Sequence, residues 1–116
     1  MSAEFKKLEV IIRPGKFESV KDAMEKAGYT GVTVSQVEGH GNQKGLTKGS
    51  QGSSYKMELV PKIRMEVIIL AKDMEPLVTA ITKTAQTGNA GDGKIFISDI
   101  GEVIRIRTGE RGEHAV

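Results

Sequence analysis

The residues richest in chemistry are consecutive: Thr87-Gly88-Asn89-Ala90-Gly91-Asp92-Gly93-Lys94-Ile95-Phe96. Three glycines in six residues leave backbone N–H groups uncovered and permit positive φ, which suits a turn wrapped around an anion. Lys94 follows at once with a point charge suited to a phosphate oxygen. Eleven residues further on stands Arg105-Ile106-Arg107, where strand alternation predicts both guanidiniums on one face and Ile106 on the other. Glycine amides, an ammonium and two parallel guanidiniums together describe a cradle for a polyphosphate.

Gly88-x-x-x-x-Gly93-Lys94 nearly spells a Walker A loop, but two features exclude it. Ile95 stands where a hydroxyl would ligand magnesium. The order is also reversed, since a helical pattern precedes the loop and a strand pattern follows it. The bland alternative is a glycine-rich turn with three solvated cations nearby.

The elements that must position this loop follow from periodicity. Leu8, Val10 and Ile12 alternate with Glu9, Ile11 and Arg13, a strand ended by Pro14-Gly15. Val20, Ala23, Met24 and Ala27 fall at helical spacing and predict a helix from about Lys16 to Ala27. Val32, Val34 and Val37 suggest a second strand, and Ile63, Met65, Val67 and Ile69 a long third one. A second helix is expected from Asp73, its N-cap candidate, with Leu77, Val78, Ile81 and Ala85 as its apolar stripe. A fourth strand, Lys94 to Ser98, turns near Ile100-Gly101-Glu102 and is expected to continue as Val103 to Arg107. Two amphipathic helices against one antiparallel sheet give an α+β, ferredoxin-like βαββαβ sandwich. Ile11, Ile68 and Leu70 point to the face that the helices leave open, so an oligomer interface is expected there.

Composition narrows the function classes. A chain of 116 residues makes one domain, 1–116, and a net charge of +2 implies no strong whole-molecule attraction to nucleic acid or acidic lipid. Without cysteine there are no disulfides, thiolate nucleophiles or Cys-ligated metals, and His40 and His114 lack zinc-site spacing. The charged N-terminus and a longest apolar run of Val67 to Ala71 predict a soluble, cytoplasmic chain. The segment from Gly39 to Met57 holds five glycines and no acidic residue, and Lys44, Lys48 and Lys56 make it positive. A loop this long inside a small domain reads as a binding loop.

Four stretches now combine: Val37-x-Gly39-x-Gly41-x-Gln43-Lys44-Gly45, Pro61-Lys62, the loop from Thr87 to Phe96, and Arg105-Ile106-Arg107-Thr108-Gly109-Glu110. With them the chain resembles, along almost its entire length, the PII nitrogen-regulatory signal-transduction proteins. The resemblance implies a homotrimer with ATP or ADP in inter-subunit clefts, a mobile effector loop at about 41–57, and a C-terminal segment at 108–116. It implies a non-catalytic sensor of ATP, ADP and 2-oxoglutarate that regulates nitrogen-related transporters or enzymes. An ammonium channel is among the partners it implies, which would recruit the protein to the membrane.

Carried over by position, Gly91, Asp92, Gly93, Lys94, Arg105 and Arg107 match the family's nucleotide-phosphate residues. Thr33, Gly39, Gly41 and Glu66 match positions around its adenosine. Gln43 matches its ligand for magnesium, and Lys62 the lysine that pairs with 2-oxoglutarate. Tyr55 and Ser53 match residues modified in some members. Gln51 departs from the arginine that others carry near the loop tip, and Ala90 replaces a bulkier aliphatic. Two other function classes fit the sequence less well. A nucleic-acid-binding module using the basic loop lacks the aromatic pairs that stack bases. A slow nucleotide hydrolase finds no base beyond Asp92 or Glu66.

Overall fold

The computed structural model describes residues 4–43 and 56–116. The expectations at Lys44, Lys48, Gln51, Ser53 and Tyr55 lie outside the described residues. Strand β1 (Phe5–Ile12) leads through a 3-10 turn at Pro14–Lys16 into helix α1 (Phe17–Lys26). A hairpin of β2 (Thr33–Gln43) and β3 (Lys56–Leu70) follows, then α2 (Met74–Ala85) and β4 (Gly93–Ile100). The sheet order is β2-β3-β1-β4 with every pairing antiparallel, the ferredoxin-like βαββαβ arrangement that the periodicity predicts.

The alternation of β1 explains the layering. Leu8, Val10 and Ile12 face the helices and are buried, with Met65, Val67 and Ile69 beside them on β3. Val20 and Met24 of α1 and Leu77, Ile81 and Ala85 of α2 close this core. Burying each Val, Leu, Ile or Met side chain of this core contributes roughly 1.5–3 kcal/mol. Ala27, expected in the stripe, lies beyond the last helical residue and is exposed. Asp73 takes the cap position of α2 but makes no capping bond. Its carboxylate instead accepts the Tyr29 hydroxyl at 2.5 Å, and that hydroxyl accepts the Leu70 N–H at 3.0 Å.

Two boundaries differ from the sequence expectation. The hairpin strands run on through the glycine-rich segment, pairing without a break from Thr33↔Glu66 to Gln43↔Lys56. Residues 41–43 and 56–57, expected in the loop, are therefore strand. The second difference is at Val103–Arg107, which does not continue β4 as a strand. Ile104 forms an isolated bridge to Arg111, and the chain between them turns. The Arg105 N–H donates to Glu110 O at 2.8 Å and the Gly109 N–H to Arg105 O at 2.7 Å. The alternating pattern lacks a partner strand, so the backbone satisfies itself in a tight turn. Ile106 at its tip is 98% exposed.

Candidate functional site

The glycine-rich loop joins α2 to β4, and a single side chain organises it. The Asp92 carboxylate accepts the N–H groups of Thr87 and Gly88 at 2.7 and 2.9 Å. It also accepts the Thr87 hydroxyl and, at 3.0 Å, Nε of Arg13. The Thr87 Oγ1 in turn accepts the Asn89 N–H at 3.2 Å. These hydrogen bonds, the Thr87 hydroxyl's first, hold the Asp92 carboxyl well below the usual carboxylate range against a smaller opposing effect of burial. The carboxylate points into its own loop, so Asp92 acts on any bound anion through loop shape. Among the described residues, no acceptor in the chain takes the exposed N–H groups of Ala90 and Gly91. Two free amides beside the exposed Lys94 suit an anion's oxygen atoms.

A depressed carboxyl gives a signed expectation. The contribution of these bonds is fully present above the unfolded carboxylate value, about 3.9, and declines as pH falls towards the native one. NMR shifts of the Thr87 and Gly88 amides are expected to stay constant through pH 4 and move only in stronger acid. Titration of those amides near pH 4 would show that Asp92 does not hold the loop.

Gly93 opens β4 under a steric constraint. At its φ of +109°, a Cβ would lie 1.7 Å from the Ile11 carbonyl oxygen. Lys94 pairs with Ile11 and so lies on the open sheet face, as does Phe96 opposite Glu9. Thr33 and Glu66 are direct partners in the hairpin, so they share this face with Glu9, whose strand partners are Glu66 and Phe96. Glu66 is held by Lys7 at 3.2 Å, and Arg64 lies 3.8 Å from Glu9 and donates to Ser35 at 3.2 Å.

The hairpin meets the loop through Lys62. Its Nζ donates to the Gly91 carbonyl, and its side-chain carbons pass beneath Gly39, where a Cβ would contact Cγ at 3.6 Å. Gly39, Lys62, Gly91, Asp92 and Gly93 are thus brought together in one chain. An open cleft of about 560 Å³ adjoins them, lined by Pro14, Glu38, Pro61 and Lys62 among others.

Other expected neighbours are kept apart. Lys62 pairs with Val37, whereas Gln43 pairs with Lys56, six residues away and roughly 20 Å along the strand. Gln43 and Lys62 therefore do not share a site while the hairpin is extended. Arg105 and Arg107 follow β4, and Gly93 precedes its other seven residues, so about 23 Å of strand separates Gly93 from Ile100. No hydrogen bond or ion pair among the described residues joins either arginine to the glycine loop; Arg105 has Glu110 at 3.6 Å instead. The single chain supplies the pieces of the expected polyphosphate cradle without assembling them.

Arg13 is the residue the sequence reading missed. Besides Asp92 it donates through an Nη atom to the Ala90 carbonyl at 2.8 Å. Nothing local marks it, because its partners lie 77 and 79 residues away. The usable signal is the strand register: once Ile12 pairs with Gly93, residue 13 must stand beside residue 92.

Comparison with known proteins places this geometry. The family model described as nitrogen regulatory protein P-II matches residues 5–110. Nitrogen regulatory protein P-II 2 of Methanothermobacter thermautotrophicus is 50% identical over 111 residues, covering 96% of both chains. Nitrogen regulatory protein P-II of Mesorhizobium japonicum is 49% identical, covering 96% of this chain and 99% of that one. Among solved structures, the GlnK–ATP complex of B. subtilis matches with a TM-score of 0.83 and 32% identity over 100% of this chain and 99% of that chain. Arabidopsis thaliana PII bound to citrate matches with a TM-score of 0.77 and 38% identity, over 98% and 94%. The relatives are named as regulatory proteins, in agreement with the expectation of a signal transducer without catalysis. No helix among the described residues is long and apolar enough to cross a membrane. On family match, identity and fold together, the chain belongs to the nitrogen regulatory protein P-II family.

Proposed function

We propose that this chain is a single-domain sensor, residues 1–116, that binds ATP or ADP and reports 2-oxoglutarate to nitrogen-related target proteins. The observation that carries it is the loop at 87–93, held open by Asp92 with the Ala90 and Gly91 amides and Lys94 left for an anion. The solved GlnK–ATP complex, with the same fold across the full chain, supports the choice of nucleotide. Gly91, Gly93, Lys94, Arg105 and Arg107 serve the phosphates, with Asp92 shaping the loop. Thr33, Gly39, Gly41 and Glu66 flank the adenosine.

The separation of Arg105 and Arg107 from the loop explains why such a site needs more than one copy of the chain. A homotrimer, packed through the face carrying Ile11, Ile68 and Leu70, brings one copy's arginines to the next copy's glycine loop. Magnesium fits this residue set only as a shared ion. Among the described residues no cluster of carboxylates and histidines holds a metal alone. Gln43 offers one neutral oxygen, and phosphate and dicarboxylate oxygens suit the remaining positions of a hard cation. For Gln43 to join Lys62 there, the hairpin has to bend, and Gly39 and Gly41 are the residues in β2 that permit it. The segment at about 41–57 then changes shape towards its target, a transporter such as an ammonium channel or a metabolic enzyme; Tyr55 and Ser53 are its modification sites. The C-terminal segment is 108–116.

Calorimetry on the native protein tests this reading. ATP and ADP are expected to bind one per chain, to a particle three times the 12.5 kDa chain mass in sedimentation equilibrium. 2-Oxoglutarate is expected to bind only with magnesium and ATP together, and not to Lys62→Ala. Absence of nucleotide binding would end the proposal, and 2-oxoglutarate binding without nucleotide would end its second half.

A further inference from the structure

We propose that Arg13 is a positioning residue for the anion-binding loop: one guanidinium ties the Ala90 carbonyl and the Asp92 carboxylate to the end of β1. The inference rests on the nucleotide reading of that loop. A loop of this composition has little apolar surface to hold it, so its order must come from hydrogen bonds. Two of its oxygen groups converge on Arg13, Asp92 Oδ1 at 3.0 Å from Nε and Ala90 O at 2.8 Å from an Nη atom. The planar fork of arginine fixes both distances at once, which a lysine ammonium on a flexible stem does less well.

The position of Arg13 makes the tether effective. It follows β1, an inner strand of the sheet, and the 3-10 turn at Pro14–Lys16 fixes the chain just after it. The side chain is partly shielded, with 35% of its surface exposed, and fills the space next to Gly91, where a Cβ would lie 3.3 Å from an Nη atom. With the Ala90 carbonyl drawn to Arg13, the peptide between Ala90 and Gly91 is fixed, and with it the Gly91 amide that faces outward. Lys62 supplies a second tether at the Gly91 carbonyl. The two tethers have different fates in the proposed cycle. Lys62 leaves the carbonyl when it takes a dicarboxylate, and Arg13 then holds the loop alone.

The test compares native protein with Arg13→Ala and Arg13→Lys by ATP calorimetry and by amide hydrogen exchange. Arg13→Ala is expected to lose ATP affinity by roughly tenfold or more, since both hydrogen bonds that position the Gly91 amide go with it. Exchange at Thr87 and Gly88, whose amides bind Asp92, is expected to accelerate while Leu8 and Val67 in the core keep native protection. Arg13→Lys, which retains the charge but not the fork, is expected to recover part of both. Native ATP affinity in Arg13→Ala would overturn the inference, as would a loss of protection spread evenly over the core. If the native protein binds no ATP, the nucleotide reading fails by itself, and the exchange rates at Thr87 and Gly88 still decide whether Arg13 holds the loop.

Discussion

Gly93→Ala is expected to cost more than about 4 kcal/mol of folding stability, at the exceptional end for a single methyl group. The new Cβ would meet the Ile11 carbonyl oxygen at 1.7 Å and its carbon at 2.8 Å, both backbone atoms of an inner strand. Neither moves without breaking the Ile12↔Gly93 and Ile11↔Lys94 pairs that seat β4 against β1. The φ of +109° adds strain of its own. Gly88→Ala separates the two effects, since its φ is +90° but nothing lies within 4 Å of the added atom. That variant should lose only about 1–2 kcal/mol, the cost of the left-handed backbone. Urea denaturation of both variants measures the difference. If the two midpoints coincide, steric contact at Gly93 is not what limits the site.

Arg107→Ala is expected to weaken ATP by roughly 1.5–3 kcal/mol, or about 10- to 150-fold, without loss of stability. Arg107 is exposed, and among the described residues it makes no hydrogen bond or ion pair. Its removal therefore leaves the fold untouched, and any loss of affinity is a loss of ligand contact. The effect should also depend on assembly, because among the described residues no hydrogen bond or ion pair joins Arg107 to the glycine loop of its own chain. In mixed trimers, Arg107→Ala chains and native chains should give sites of two affinities in proportion to mixing. Unchanged ATP affinity in the homogeneous variant would remove Arg107 from the site.

The parts of this fold that were legible in the sequence are those where burial dictates conformation. Leu8, Val10 and Ile12 alternate because one side of their strand meets helices, and Val20 and Met24 recur at helical spacing for the same reason. The hairpin beyond Gly39 was not legible. On β2 its residues are polar or glycine, without the apolar alternation that marks a strand, and what makes them extended is pairing with β3. Arg105-Ile106-Arg107 misled in the opposite sense, since alternation of apolar and charged residues needs a partner strand to become structure. The glycine-rich turn between α2 and β4 was legible from its glycines and Lys94. Its anchors were not, because the Arg13–Asp92 contact joins residues 79 apart in the chain. Local pattern carries information about which face is wet, and little about which distant charge answers another.

The unbroken register of β2 and β3 has a consequence for how the protruding arm tolerates changes in length. Strand positions alternate with a period of two, so one inserted residue between Val37 and Gly39 would reverse the face parity of every ribbon position that follows. Matched insertions of two residues in each strand would keep every one of them facing as before and carry the tip roughly 7 Å further out. The reach of the arm and the aim of its side chains are therefore separable quantities, one set by even steps of length and the other by parity. An arm built this way suits redesign for targets at a different depth, with the glycine-rich loop at its base left as it stands.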